Sequence, residues 1–284
     1  MKVVKTIAEV KENVKSWRGA GESVSLVPTM GFLHNGHKSL MERAKRENDR
    51  VVVSVFVNPI QFGPNEDFKT YPRDLEHDMA VCESAGVDLI FAPEAEEMYS
   101  KEFCSFVGMS VLTEDLCGKS RPTHFQGVCT VVSKLFHIVT PDRAYFGEKD
   151  AQQLAIIKRM VIDLSMDVEV IGCPIIREED GLAMSSRNTY LSAEERKAAL
   201  VLSKTLNLGE ELAKQGVTDA SELLAKMKEN IEKEPLAQID YVEAVNVLTM
   251  KPVEKITEST LVAMAVRIGA TRLIDNRMIL GGKQ

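Results

Sequence analysis

Two histidines stand three residues apart in the run Met30-Gly31-Phe32-Leu33-His34-Asn35-Gly36-His37. On the first turn of a helix that spacing puts both imidazoles on one face. Gly36 removes a side chain between them, and a helix N-terminus already offers free N–H groups to an anion. The chemistry this suggests is phosphate binding, with charge on a departing pyrophosphate stabilised by imidazole donors. Two competing readings are a metal pair, for which no third ligand stands nearby in sequence, and ordinary surface histidines.

Two later segments could serve the same end. Phe146-Gly147-Glu148-Lys149-Asp150 places an ammonium beside a glycine that lets a nucleotide approach the backbone. Met184-Ser185-Ser186-Arg187 sets two hydroxyls and a guanidinium in a row, a set suited to a triphosphate. A solvated loop is the competing reading for each. The common phosphate loops are missing. Gly118-Lys119-Ser120 has the tail of a P-loop, but its first glycine would fall at Thr113, and no G-x-G-x-x-G follows any expected strand.

Elements that could position these residues are readable from the apolar pattern. Strands are expected at Val24 to Pro28, Val51 to Val57, Asp88 to Ala92, Ala144 to Phe146 and Val168 to Gly172. Helices are expected from His37 to Arg46, from Arg73 to Ala85, through Val128 to Val139 and through Leu154 to Leu164. Near-continuous apolar strands alternating with helices predict an α/β fold, a doubly wound parallel sheet of Rossmann-like type over residues 1–176. The histidine run then leaves the first of these strands at its carboxyl end, where ligands bind in such sheets. Past the charged stretch Arg177 to Gly181 the texture changes. Ser192 and Glu195 form a capping-box pattern before one helix carrying Ala198, Leu202, Leu206 and Ala213, and another helix spans about Asp219 to Glu232. Two β-rich runs, Ile239 to Val247 and Thr260 to Ile268, complete a smaller α+β C-terminal domain, residues 177–284.

The 284 residues are 44% hydrophobic and 27% charged, with a formal net charge of −7. An acidic chain without a basic stripe has no general pull on nucleic acid or anionic membrane. No run approaches 18 apolar residues and the N-terminus lacks an apolar core, so neither a membrane helix nor a secretory signal is expected. Five cysteines without C-x-x-C spacing read as reduced thiols of a cytoplasmic protein.

Taken together the motifs resemble a known family. His34-Asn35-Gly36-His37 is a form of the HIGH motif of the nucleotidyltransferase superfamily, and Met184-Ser185-Ser186-Arg187 stands where that superfamily has its KMSKS-like loop. Five motifs in order look like the pantothenate synthetase (pantoate–β-alanine ligase) family: Val27 to His37, Phe56-Val57-Asn58-Pro59-x-Gln61-Phe62, Tyr71-Pro72-Arg73, Phe146 to Gln153, and Met184 to Asn188. The resemblance implies an ATP-dependent ligase that makes pantothenate through a pantoyl-adenylate, with magnesium, releasing AMP and pyrophosphate. It implies that Met30, Gly31, Phe32, Leu33, His34, Asn35, Gly36 and His37 line the ATP, joined by Gly147, Glu148, Lys149, Asp150, Ile176, Met184, Ser185, Ser186 and Arg187. His37, His34 and Lys149 are the catalytic candidates, His37 as proton donor. Gln61 would touch pantoate and β-alanine, and Gln153 pantoate. Asp78 is a candidate outer magnesium contact. A cytoplasmic homodimer is implied, with the C-terminal domain closing over the ATP site. The alternatives are a transferase that leaves the nucleotide on its product, and a non-catalytic nucleotide sensor or RNA-binding module. The length of the C-terminal domain and the Gln61/Gln153 pair argue against the transferase, and the acidic charge against RNA.

Overall fold

The computed structural model describes residues 1–64 and 66–280. In chain order the elements are β1 (Lys2–Val4), α1 (Ile7–Gly19), β2 (Val24–Thr29), α2 (Asn35–Glu47), β3 (Arg50–Val55), α3 (Leu75–Ser84), β4 (Leu89–Phe91) and α4 (Ala95–Met98). Then come α5 (Leu116–Ser120), α6 (His124–Val139), β5 (Arg143–Gly147), α7 (Ala151–Asp163) and β6 (Glu169–Cys173). The C-terminal part holds α8 (Ala193–Ala198), α9 (Leu200–Lys214), α10 (Ala220–Glu232), β7 (Ala237–Asn246), β8 (Thr260–Ile268) and β9 (Thr271–Met278). The chain forms two compact units that are not separated by a single cut. The first is Met1–Met109, Arg121–Glu148 and Ile156–Cys173; the second is Ser110–Ser120, Lys149–Ala155 and Pro174–Gln284.

The first unit is built on a six-stranded sheet in the order β1-β4-β3-β2-β5-β6, parallel at every pairing. Val24, Leu26, Val27, Val51, Val52 and Val53 are fully buried, as expected of strands covered on both faces. Apart from edge strand β1, strand order runs outward from β2 in both directions. The topological switch point therefore lies between β2 and β5, whose carboxyl ends lead to Met30 and to Gly147. The expected doubly wound α/β sheet is present. Helix α6 is apolar almost all round because it is buried almost all round. It ends at Thr140, which takes the left-handed conformation at φ 44° just before Pro141. The N-terminal segment, for which the sequence suggested no element, forms edge strand β1 and helix α1. Thr6 and Glu9 cap α1 reciprocally.

The second unit packs helices on a three-stranded antiparallel sheet, β7-β8-β9. Leu202, Leu206, Leu223, Met227, Val262 and Met264 form its dry centre. The expected Ser192/Glu195 capping box is there. The single helix expected after it is two, because Leu202 N–H reaches back only three residues to the Ala199 carbonyl and tightens the chain there. The third strand, β9, went unread because Asp275 and Asn276 interrupt its apolar pattern at buried positions. The P-loop-like tail has a packing role: a methyl group on Gly118 would fall 2.2 Å from the Thr113 carbonyl oxygen.

Candidate functional site

In the first unit, β2 delivers the chain into a tight loop. Thr29 Oγ1 donates to the Ser54 carbonyl at 2.7 Å and accepts the Gly31 N–H at 3.2 Å. Gly31 sits at φ 83°, and a methyl group there would lie 2.9 Å from Asp78 Oδ2 and 3.0 Å from Val55 Cγ1. Only glycine meets both demands. Asp78, on α3, accepts the N–H groups of Phe32 at 2.9 Å and Leu33 at 2.6 Å, one on each carboxylate oxygen. Burial pushes its carboxyl up from the ordinary range against the downward pull of those two bonds. The residue suggested as a magnesium contact is thus seen organising the loop that carries Met30 to His37.

The loop ends in an N-cap made by two imidazoles. His34 Nδ1 accepts the Gly36 N–H at 3.1 Å, and His37 Nδ1 accepts the His34 N–H at 3.3 Å. This is a capping box with histidine in both roles. A nitrogen that accepts a backbone N–H carries no proton, so each neutral ring holds its proton on Nε2. The rings lie with centroids 4.1 Å apart. The cap therefore converts two amphoteric rings into two Nε2–H donors at a helix start, the polarity an anion needs. Asn35 and Gly36 form the first residues of α2.

Gln61 lies in the same unit, in a short 3-10 turn at Pro59–Gln61. A methyl group on Gly127 of α6 would fall 2.4 Å from the Ile60 carbonyl oxygen and 2.6 Å from Gln61 Cα, so the turn rests directly on α6. His124 Nδ1 lies 2.9 Å from the Gln61 carbonyl, which can only accept and so receives the ring N–H. The Gln61 side chain accepts from Asn58 Nδ2 at 3.0 Å, and its Nε2 approaches Met30 Sδ at 3.2 Å. Gln61 and the histidine run are thereby joined through Met30. Gly147 ends β5 with open space around it, since a methyl group there would meet nothing within 4 Å.

Apart from Glu148, the other site residues singled out from the sequence lie in the second unit. Lys149 and Ser185 line one small cavity together with Ala183, Asn188 and Asp275. Burial lowers the Lys149 ammonium from its ordinary range. Asp150 and Asp275 oppose that shift, and Arg187 adds to it. The Met184–Arg187 loop is anchored at both ends. Met184 N–H donates to the Ile176 carbonyl at 3.0 Å, Arg177 and Ala183 form an antiparallel bridge, and Ser185 Oγ accepts the Arg187 N–H at 3.3 Å. Ser186 is buried. Arg177 makes a two-pronged bond to Asp275 at 2.7 and 2.8 Å and donates to the Gly181 carbonyl. Asn276 Nδ2 holds the Lys149 carbonyl at 2.8 Å. Gln152 is buried and structural: it donates to the Leu112 and Asp115 carbonyls and accepts the Gly118 N–H. Its neighbour Gln153 is half-buried. Glu148 and Asp150 flank Lys149, Asp150 in water.

The structure therefore brings Met30 to His37, Asp78 and Gln61 together in one unit, and Lys149, Ile176 and Met184 to Arg187 together in the other. Sequence reasoning placed Asn58 in a motif without giving it a role, and missed Tyr99 behind Gln61 and Arg177, Asp275 and Asn276 behind Lys149. A usable signal existed for the last two, which are polar residues inside an otherwise apolar strand pattern. Among the described residues, no three His, Cys, Asp or Glu side chains group to hold a metal, and no helix is long and apolar enough to cross a membrane.

Comparison with known proteins agrees with the motif pattern. The family model for pantoate-beta-alanine ligase matches residues 2–278. Pantothenate synthetase of Ruminiclostridium cellulolyticum is 63% identical over 276 residues, covering 97% of this chain and 98% of that protein. The pantothenate synthetase of Clostridium acetobutylicum is 59% identical with the same coverage. Among solved structures, the enzyme of Thermus thermophilus superposes with a TM-score of 0.94 at 50% identity, over 98% of this chain and 99% of that one. A pantoate-beta-alanine ligase from Francisella tularensis, solved with Beta-gamma ATP and beta-alanine, superposes at 0.82 with 34% identity over 99% of both chains. With the family model spanning nearly its whole length and relatives this similar end to end, the chain belongs to the pantoate–β-alanine ligase family.

Proposed function

We propose that this chain runs the reaction of its family at the residues described above. Pantoate's carboxylate attacks the α-phosphorus of ATP, giving pantoyl-adenylate and pyrophosphate. The uncharged amine of β-alanine then attacks the acyl carbon, and pantothenate and AMP leave. A carboxylate is a poor acylating group, and adenylation supplies the leaving group. Most of the protein's work is to position the substrates and offset charge on the phosphates.

The observation that carries this reading is the paired-histidine cap. It fixes two Nε2–H donors at the start of α2, beside the carboxyl end of β2. His37 and His34 would stabilise charge on the phosphates, with His37 donating to the departing pyrophosphate. Lys149, Ser185, Ser186 and Arg187 would hold the triphosphate. Gly31, Phe32, Leu33, Asn35, Gly36, Gly147, Glu148, Asp150, Ile176 and Met184 would shape the nucleotide's surroundings. Gln61 and Gln153 are neutral amides suited to pantoate's hydroxyls and carboxylate, Gln61 also to β-alanine. Residues 1–176 would carry nucleotide and pantoate, and residues 177–284 would complete ATP binding.

Magnesium fits as a companion of the nucleotide rather than as a protein-held ion. Mg2+ commonly keeps its waters and binds through substrate phosphates. Both Asp78 oxygens meanwhile accept backbone N–H groups. The family supports a cytoplasmic homodimer, and the five cysteines form no disulfide. The reading is tested by pantoate-dependent exchange of pyrophosphate into ATP without β-alanine. Exchange is expected with pantoate and absent without it. Formation of ADP, or exchange indifferent to pantoate, would overturn it.

A further inference from the structure

Behind Gln61 lies a short polar relay. Tyr99 Oη donates to Asn58 Oδ1 at 2.7 Å, and Asn58 Nδ2 donates to Gln61 Oε1 at 3.0 Å and to the Gly127 carbonyl at 3.2 Å. Asn58 is 1% exposed and Gln61 8%. A buried primary amide has two orientations that differ only in which end carries the donors. Here the neighbours decide between them. The Gly127 carbonyl can only accept, so the end of Asn58 that faces it must be Nδ2. The second N–H of that nitrogen reaches Gln61, so the Gln61 atom that faces it must be Oε1. The Tyr99 hydroxyl completes the set by donating to Asn58 Oδ1. Burial pushes this phenol up, so it stays protonated and a donor. With its oxygen turned inward, Gln61 directs its nitrogen the other way. One N–H points toward Met30 Sδ, a weak acceptor.

We propose that Tyr99 and Asn58 are positioning residues that lock the Gln61 amide nitrogen-outward, so that Gln61 reads an acceptor oxygen of the substrate and not a donor. This rests on the reading of Gln61 as a substrate contact. In the adenylation step the group facing Gln61 is then a carboxylate or hydroxyl oxygen of pantoate. The relay also accounts for a fully buried asparagine whose three bonds all point away from solvent. A half-satisfied amide in that place would be costly, and a wrongly turned one would set two carbonyl oxygens face to face.

The test uses the full-length enzyme and steady-state pyrophosphate exchange, with KM for pantoate and for ATP measured separately. Tyr99→Phe removes one hydroxyl and keeps the ring. It should raise the pantoate KM about fivefold to tenfold and leave the ATP KM unchanged. Asn58→Asp replaces the donating end with an acceptor, so Gln61 must turn its nitrogen inward. The pantoate KM should then rise about a hundredfold, again without a change for ATP. Gln61→Ala separates the substrate contact from the relay that positions it. Normal kinetics in Gln61→Ala would show that Gln61 is not a pantoate contact, and the proposal would fall with that reading. Impaired Gln61→Ala with unaltered Tyr99→Phe and Asn58→Asp would overturn the relay alone. A parallel loss in both KM values, with a lowered melting temperature, would mark the network as structural and also overturn it.

Discussion

His37 accepts the backbone N–H of His34 on its Nδ1 at 3.3 Å, so the ring that would serve the phosphates also closes the helix on which it stands. The two jobs use opposite edges of one imidazole and can be separated by substitution. Asparagine can place an amide oxygen near the Nδ1 position but does not extend to Nε2. Glutamine reaches the Nε2 position but does not supply the cap.

His37→Asn should therefore keep most of the helix start and lose catalysis. Pyrophosphate exchange is expected to fall about 10²- to 10³-fold, the usual loss on removing one donor to developing charge. Its melting temperature should stay near that of the parent. His37→Gln should retain more activity than His37→Asn and lose about 1 kcal/mol of stability for the missing cap. Comparing denaturant midpoints with exchange rates checks both. Equal activity in the two variants would mean that the Nε2 edge does not face the reaction.

Asp78 holds Phe32 and Leu33 by their backbone N–H groups. Asp78→Ala would take the carboxylate from the buried Leu33 N–H, at about 1–3 kcal/mol, and from the part-buried Phe32 N–H at less. The variant should be less stable by a few kcal/mol and should bind ATP more weakly, because the loop before His34 relaxes. Its apparent affinity for magnesium, measured at saturating ATP, should be unchanged. A large selective rise in the magnesium requirement would restore Asp78 as a metal contact.

Gly127 lets the turn at Pro59–Gln61 rest against α6. In Gly127→Ala the new methyl would overlap the Ile60 carbonyl at 2.4 Å, a backbone atom that cannot swing aside. The turn must move, and Gln61 with it. We expect a rise in pantoate KM larger than that of Tyr99→Phe, together with a loss of about 1–3 kcal/mol in stability from overpacking. Unchanged pantoate KM in a folded variant would contradict the placement of Gln61.

The parallel sheet was legible because its strands are buried on both faces and so read as unbroken runs such as Val51-Val52-Val53. The setting of the histidine run was legible because strand, glycine and helix start follow one another in sequence. What stayed hidden depends on contacts distant along the chain. Nothing near Gly31 announces that Asp78 will close over it, and nothing near Gln61 announces Tyr99 or Gly127. Strand β9 was obscured by Asp275 and Asn276, the residues that turn a structural strand toward the Lys149 region.

That region yields a pH prediction. Burial lowers the Lys149 ammonium, Arg187 lowers it further, and Asp150 and Asp275 raise it. Asp275 is 2% exposed and also neutralises Arg177. In Asp275→Asn one opposing anion is lost, so Lys149 gives up its proton at lower pH. The basic limb of kcat/KM for ATP should move toward neutrality, because the cation that would hold the phosphates disappears earlier. Breaking this partly buried pair leaves Arg177 uncompensated, at a cost of about 3–5 kcal/mol. Arg177→Met combined with Asp275→Asn removes both charges and should recover part of the stability. Arg177 is not among the charges that act on Lys149, so the double variant should recover stability while its basic limb stays with that of Asp275→Asn. Identical basic limbs in all three proteins would show that Lys149 does not set that limb or that Asp275 does not act on it.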